Sequence, residues 1–179
     1  MKKPAGKAVK SSAKKPARRL SHLDTLGNAR MVDISGKPES RREAVAEATV
    51  VMEEGTWALV AAKEIPKGDV LSAARLAGIM AAKRTPDLIP LCHPLLLSQV
   101  DLTFQATHAG TGGIALRILA VARCSGQTGV EMEAMTAAAV SALTVYDMCK
   151  AVDRWMEIRE VRLLEKRGGK SGTIRRPGC

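Results

Sequence analysis

Aromatic side chains are nearly missing from this chain: one Tyr, one Phe and two Trp among 179 residues. Proteins that hold single-stranded nucleic acid stack bases on aromatic platforms, so a nucleic-acid module is a poor fit for the body of the chain. No apolar run is long enough to span a bilayer, and no leader with an apolar centre stands at the start, so no membrane partner is expected. None of the four cysteines, Cys92, Cys124, Cys149 and Cys179, forms a CxxC pair. Scattered thiols suit a reducing compartment better than a disulfide framework, and the expected location is cytoplasmic. Even with His93 added, they lack the closely spaced ligand pairs of a structural zinc site. Neither a metal nor another cofactor is expected.

Acid is absent from residues 1–20, which hold eight Lys or Arg. Removing that block from the formal charge of +10 leaves +2, from 20 Lys and Arg against 18 Asp and Glu. The segment has no hydrophobic period and reads as a disordered basic tail. Its only foreseeable nucleic-acid role is weak electrostatic attachment. Deleting it is expected to leave turnover and assembly intact, because it has little apolar surface to pack.

A hydrophobic content of 46% supports a globular body with a proper core. The division expected is the tail at 1–20, one domain over 21–172 and a C-terminal tail at 173–179. Residues 43–52 alternate as a strand does. Gly55-Thr56 offers an N-cap for a short helix, which Pro66-Lys67-Gly68 ends. Asp69 caps a second helix over 70–84. Pro86, Pro90 and Pro94 exclude helix from TPDLIPLCHP and predict an extended loop. Residues 96–106 and 114–123 read as a hairpin around THAGTGG. A long helix spans Thr128 to Trp155, with Thr128 and Glu131 forming a capping box. Glu157 to Lys166 is a last strand, and GGKSG closes the domain. This order predicts an α+β sandwich, an antiparallel sheet with helices on one face.

The long helix carries no charge from Ala134 to Tyr146, yet has Glu131 and Glu133 at its start and Asp147 and Lys150 near its end. Charges beside so apolar a segment risk desolvation unless paired, a risk often accepted at sites of chemistry. Asp147 and Lys150 are three apart and share a helix face. Flanked by Tyr146, Met148, Cys149 and Ala151, they are expected to be shielded. Burial lowers a lysine pKa and makes it a proton donor near neutral pH; an adjacent carboxylate opposes that shift and can itself act as base. A surface salt bridge is the plainer alternative. Lys67 precedes a helix start, where anions bind well. GGKS lacks the first glycine of a phosphate-binding loop, since Leu164 stands in its place, so that reading is rejected.

The segments MVDISGK (31–37), KGDVLSAARLAGIMAAKRTPDLIPLCHPLLLS (67–98), TGVEMEAMTAAAVSALTVYDMCKAV (128–152) and VRLLEKRGGKSG (161–172) resemble the cyclic pyranopterin monophosphate synthase family of molybdenum cofactor biosynthesis. The resemblance implies a ferredoxin-like sandwich, and a homohexamer arranged as a trimer of dimers with sites between subunits. It implies conversion of 3′,8-cyclo-7,8-dihydroguanosine triphosphate, a cyclised GTP derivative, to cyclic pyranopterin monophosphate with loss of pyrophosphate. By the same resemblance Asp147, Lys150 and Lys67 are catalytic. Leu91, Cys92, His93, Met132 and Glu133 contact substrate, and Glu131, Asp33, Arg42 and Lys166 lie close to the pocket. Lys170 is added as a cation suited to phosphate. The alternatives are a non-catalytic, basic nucleic-acid-associated protein and a structural module that binds nucleotides without turnover.

Overall fold

The computed structural model describes residues 26–110 and 112–178. The basic tail at 1–20 and Cys179 lie outside the described residues. The chain divides into Met1–Val32 and Asp33–Cys179. Of the first unit, residues 26–32 are described and include a turn at Leu26-Gly27. All that follows concerns the second.

Its elements are β1 (Ser40–Glu53), α1 (Glu54–Ala62), α2 (Val70–Lys83), α3 (Thr85–Leu88), β2 (Leu97–His108), β3 (Gly113–Gly126), α4 (Glu131–Cys149), β4 (Glu157–Arg167) and β5 (Ile174–Arg175). The strands form one antiparallel sheet in the order β2-β3-β1-β4-β5. This is the expected α+β, ferredoxin-like sandwich, with a short fifth strand on the edge.

Alternation along β1 explains the layering. Ala44, Ala46, Ala48, Val50 and Met52 point to the helix-covered face and are buried. The intervening positions point to the other face, where Arg117 and Arg162 bracket Glu47 at 2.5 and 2.6 Å. Burial works against the charge on Glu47, but these two guanidiniums hold its carboxyl below the usual range.

The side chains between sheet and helices are small. Ala44, Ala46, Ala48, Ala120 and Ala122 of the sheet meet Ala134, Ala137, Ala138 and Ala142 of α4, all fully buried. α2 approaches α4 through Ala74 and Gly78, and the Ser141 hydroxyl donates to the Ala74 carbonyl at 2.7 Å. A Cβ on Gly78 would stand 2.3 Å from Ser141 Oγ and 2.9 Å from the Ala137 carbonyl oxygen. Gly78→Ala gains about 1 kcal/mol in helix propensity, but overpacking against backbone costs about 1–3 kcal/mol. The variant is expected to unfold at lower urea concentration than the parent; an equal or higher midpoint would show that the helices separate freely.

Several sequence expectations need correction. The long helix begins at Glu131 with Val130 as a cap that offers no side chain, so the Thr128–Glu131 capping box does not form. It ends at Cys149, not Trp155: the Val152 and Asp153 backbone N–H groups turn back onto the Cys149 carbonyl at 2.9 and 3.1 Å, and Asp153 is buried with its carboxylate tied to other elements. That carboxylate accepts the Glu53 and Trp155 backbone N–H groups at 3.0 and 3.1 Å and the Thr56 hydroxyl at 3.4 Å. Thr56 is therefore inside α1, which starts at Glu54, and does not cap it. The proline loop contains the four-residue α3, since Pro86 falls in its first turn, where a missing N–H costs nothing. Asp69 does cap α2, accepting the Ser72 N–H at 3.0 Å.

Candidate functional site

α4 carries ionisable groups at both ends, and the fold gathers partners for each. At its C-terminal end, the loop before α2 brings Lys67 to Asp147. The Lys67 ammonium donates to the Asp147 carboxylate at 2.7 Å and to the Asp147 carbonyl at 2.8 Å. Lys150, one turn further along, pairs with the other carboxylate oxygen at 2.7 Å. Lys150 first and Lys67 second hold the Asp147 carboxyl down at about 2, and Asp147 in turn raises Lys150. The shielding expected from the flanking residues is absent within one chain: about half of each side chain is exposed. The carboxylate therefore decides the charge of Lys150, and burial does not. An ammonium has three donors. Lys67 spends two on Asp147, leaving one for a ligand.

At the N-terminal end of α4 the environment is opposite. Glu133 is 3% exposed, and among the described residues no cation pairs with it. Burial pushes its carboxyl up, its own backbone N–H opposes this, and Glu131 adds a smaller contribution to the rise. Burial also pushes up the thiols of Cys92 and Cys124, and the charge of Glu133 pushes both further. Glu131 is folded back against Gly129, where a Cβ would strike its carboxylate. One helix thus holds one carboxyl ionised and another biased toward neutrality, a division suited to base and acid roles.

The sign of the Glu133 shift gives a stability test. A carboxyl raised in the folded state binds more protons folded than unfolded. Its contribution to stability is therefore lost as pH rises from the ordinary carboxylate range through the raised value. Glu133→Gln is expected to melt about 2 °C or more above the parent at pH 8, with the gap closing toward pH 4. Melts at the two pH values that differ by the same amount would refute this.

Beside this end lies a cavity of about 940 Å³. Lys37, Ser40, Arg42, Gly129, Gly169 and Lys170 are among its walls. Arg42 faces Cys124 across the β1–β3 ladder, and its Nε donates to the Gly126 carbonyl at 3.1 Å. Gly168 and Gly169 both have positive φ, and a Cβ on Gly169 would sit 1.6 Å from Arg42 Nη1. The glycine pair lets the guanidinium lie across the backbone. Lys166 opposes Ala44 on the helix side of the sheet and bonds to the Ser171 hydroxyl. Asp33 accepts the N–H and hydroxyl of Ser35 at 2.9 and 2.7 Å, shaping the turn that carries Lys37. Leu91, Cys92 and His93 follow α3 in irregular backbone and are half-buried, as is Met132 in the first turn of α4.

The structure therefore groups the expected residues in two places. Lys67, Asp147 and Lys150 form one cluster. Arg42 and Lys170 share the cavity, with Glu131 against its Gly129 wall. Glu133 is coupled to Cys92, and through Cys124 the group reaches Arg42. Glu133 and Asp147 are 14 positions apart, about 21 Å along the helix, so one chain does not unite the two groups. Sequence reasoning missed Lys37 and Ser40. Lys37 lay inside a segment of the resemblance, and only the fold shows that it lines the same cavity as Lys170. No group of His, Cys, Asp and Glu among the described residues is arranged to hold a metal ion, and none of the described helices is long and apolar enough to cross a membrane.

The MoaC family pattern matches residues 31–169. A cyclic pyranopterin monophosphate synthase of Chloroflexus aurantiacus is 57% identical over 158 residues, which is 88% of this chain and 95% of that protein. The protein of the same name from Chloroflexus aggregans is 57% identical over 157 residues, covering 88% and 93%. That from Pelotomaculum thermopropionicum is 54% identical over 159 residues, covering 89% and 92%.

Proposed function

The chain belongs to the MoaC family, and from that premise we infer the reaction and the site that performs it. It is a lyase of molybdenum cofactor biosynthesis. It converts 3′,8-cyclo-7,8-dihydroguanosine triphosphate to cyclic pyranopterin monophosphate and releases pyrophosphate. Making the cyclic phosphate requires a hydroxyl oxygen to bond to the α-phosphorus while the α–β bridge breaks and pyrophosphate leaves. That step depends on positioning and charge stabilisation. Rearranging the purine to a pterin requires repeated proton transfers.

The observation that supports the site reading is the division of α4 into two unlike ends. Asp147, ionised, fixes Lys67 and Lys150 so that their remaining N–H donors face a ligand. Glu133, biased toward neutrality, is suited to donate a proton or hydrogen bond to the purine. Cys92 and His93 line the approach, with Leu91 and Met132 supplying apolar contact to the base. Arg42, Lys166 and Lys170 suit phosphate oxygens. Because one chain holds these groups about 21 Å apart, the working site combines the start of one subunit's α4 with the end of another's. A two-fold dimer does this, and three such dimers make the hexamer we propose. The location proposed is the cytoplasm.

The deciding assay incubates the purified protein with the cyclised GTP derivative and follows cyclic pyranopterin monophosphate and pyrophosphate by chromatography. Both products should appear in equal amounts. Binding without either product would leave a nucleotide-binding module and remove the enzyme reading.

A further inference from the structure

The two lysines of the Asp147 cluster are held differently. Lys67 donates to both the carboxylate and the backbone carbonyl of Asp147. Lys150 pairs with one carboxylate oxygen at 2.7 Å, and it stands just beyond the helix, as the C-cap of α4. A side chain beyond a helix end is only as well placed as the turn that carries it. What fixes that turn therefore decides where the Lys150 ammonium lies.

The near side of the turn is tied through backbone. The Lys150 N–H donates to the Tyr146 carbonyl, and the Val152 and Asp153 N–H groups donate to the Cys149 carbonyl. A side chain makes the tie across it: the Tyr146 hydroxyl donates to the Arg154 carbonyl at 3.2 Å, eight residues ahead. Tyr146 lies one helical turn before Lys150, on the same face, so this bond spans the segment in which Lys150 sits. The half-buried ring packs against the main core cluster, which limits where the hydroxyl can reach. Phe would supply the same packing, so the hydroxyl has a separate consequence. Tyr146 is also felt by Lys150 electrostatically: Asp147 raises the lysine first, and Tyr146 adds a smaller contribution in the same direction.

We propose that Tyr146 is a positioning residue for the reaction: its hydroxyl, tied to the Arg154 carbonyl, fixes the turn that carries Lys150 and so holds the Lys150 ammonium on Asp147 with its remaining donors toward the substrate. The role rests on the reaction and the site inferred above. Tyr146 touches neither substrate nor reacting atoms; it acts through Lys150. Small displacements of a group that stabilises charge or moves a proton are costly, because the reacting geometry is narrow. Loss of the hydroxyl is therefore felt in the chemical step, while substrate binding, spread over many other contacts, is nearly unaffected.

The test compares full-length Tyr146→Phe with the parent in steady-state turnover of the cyclised GTP derivative and in NMR titration of the Lys150 side chain. The variant should lose about tenfold in kcat, with KM nearly unchanged and a melting temperature close to the parent's. Its Lys150 should titrate at lower pH, moving toward the ordinary lysine value as the pairing with Asp147 loosens, which a merely structural role would not produce. Arg154→Ala keeps the carbonyl that accepts the hydroxyl and should change neither quantity. Because the chain has one tyrosine, growth on 3-fluorotyrosine labels Tyr146 alone. Its fluorine signal should move in Lys150→Met and stay in place in Lys83→Ala, which keeps the idea testable should Tyr146→Phe fold poorly. Parental kcat in Tyr146→Phe, a fall in kcat with Lys150 titrating as in the parent, an equal loss in Arg154→Ala, or a fluorine signal blind to Lys150 overturns the role. A parent that makes no product overturns the inferred reaction, and the Lys150 titration then still decides whether Tyr146 places that lysine.

Discussion

Asp147→Asn lowers turnover by at least about a hundredfold while leaving the melting temperature close to that of the parent. The amide keeps the shape of the side chain but loses the charge that holds Lys67 and Lys150. Half-exposed and outside the core, Asp147 contributes little to packing, so the effect falls on chemistry. Lys67→Ala is expected to cost as much for the complementary reason, since it removes the ammonium that spans the Asp147 carboxylate and carbonyl. It also has a signature that a structural role would not give. With one of its two cations gone, the Asp147 carboxyl should titrate above its value of about 2, moving toward the ordinary aspartate range. Following the carboxyl carbon by NMR measures this directly. Near-normal turnover in Asp147→Asn would remove Asp147 from the catalytic set.

The second large effect is a recovery. Glu133→Ala and Asp147→Asn are each expected to be inactive alone. Unfolded together in equal amounts and refolded, they should regain about a quarter of parental turnover. Half of the dimers are then mixed, and in each mixed dimer one of two sites collects both defects while the other is intact. No recovery, with mixed assemblies confirmed by mass, would put Glu133 and Asp147 in one site from one chain and overturn the shared-site arrangement.

How much of this was legible beforehand follows from the range of the interactions. The strands of the sheet were readable because alternation is local, and the hairpin because THAGTGG interrupts it. The end of α4 was not readable, since the residues just after it are tied to a distant part of the chain: Asp153 accepts the Glu53 backbone N–H, 100 residues earlier. Nor was α3, where three prolines argued against helix although one fell at a position that tolerates it. β5 is two residues long and exists only because β4 offers an edge. At the site, the Asp147–Lys150 pair lay within one turn and could be seen. Its protonation could not, because that depends on Lys67, 80 residues away, and on exposure that the apolar flanks concealed. Glu133 stood out as a charge at the start of an apolar helix, but its burial is a property of the loop and sheet around it. Ser40 carried no signal at all.

The alanine-lined contact between sheet and helices also determines how this fold is damaged by inheritance. In a core of leucines and phenylalanines, random change mostly removes volume and leaves cavities. Here the fully buried positions at Ala46, Ala120, Ala137 and Ala142 have almost nothing to remove. Single-base changes in alanine codons yield valine, threonine, aspartate, glutamate or proline far more than anything smaller. Harmful alleles should therefore act by inserting volume or charge between layers that cannot separate. A saturation library scored for soluble protein would show substitutions at these alanines graded by the size of the incoming side chain, with glycine and serine best tolerated.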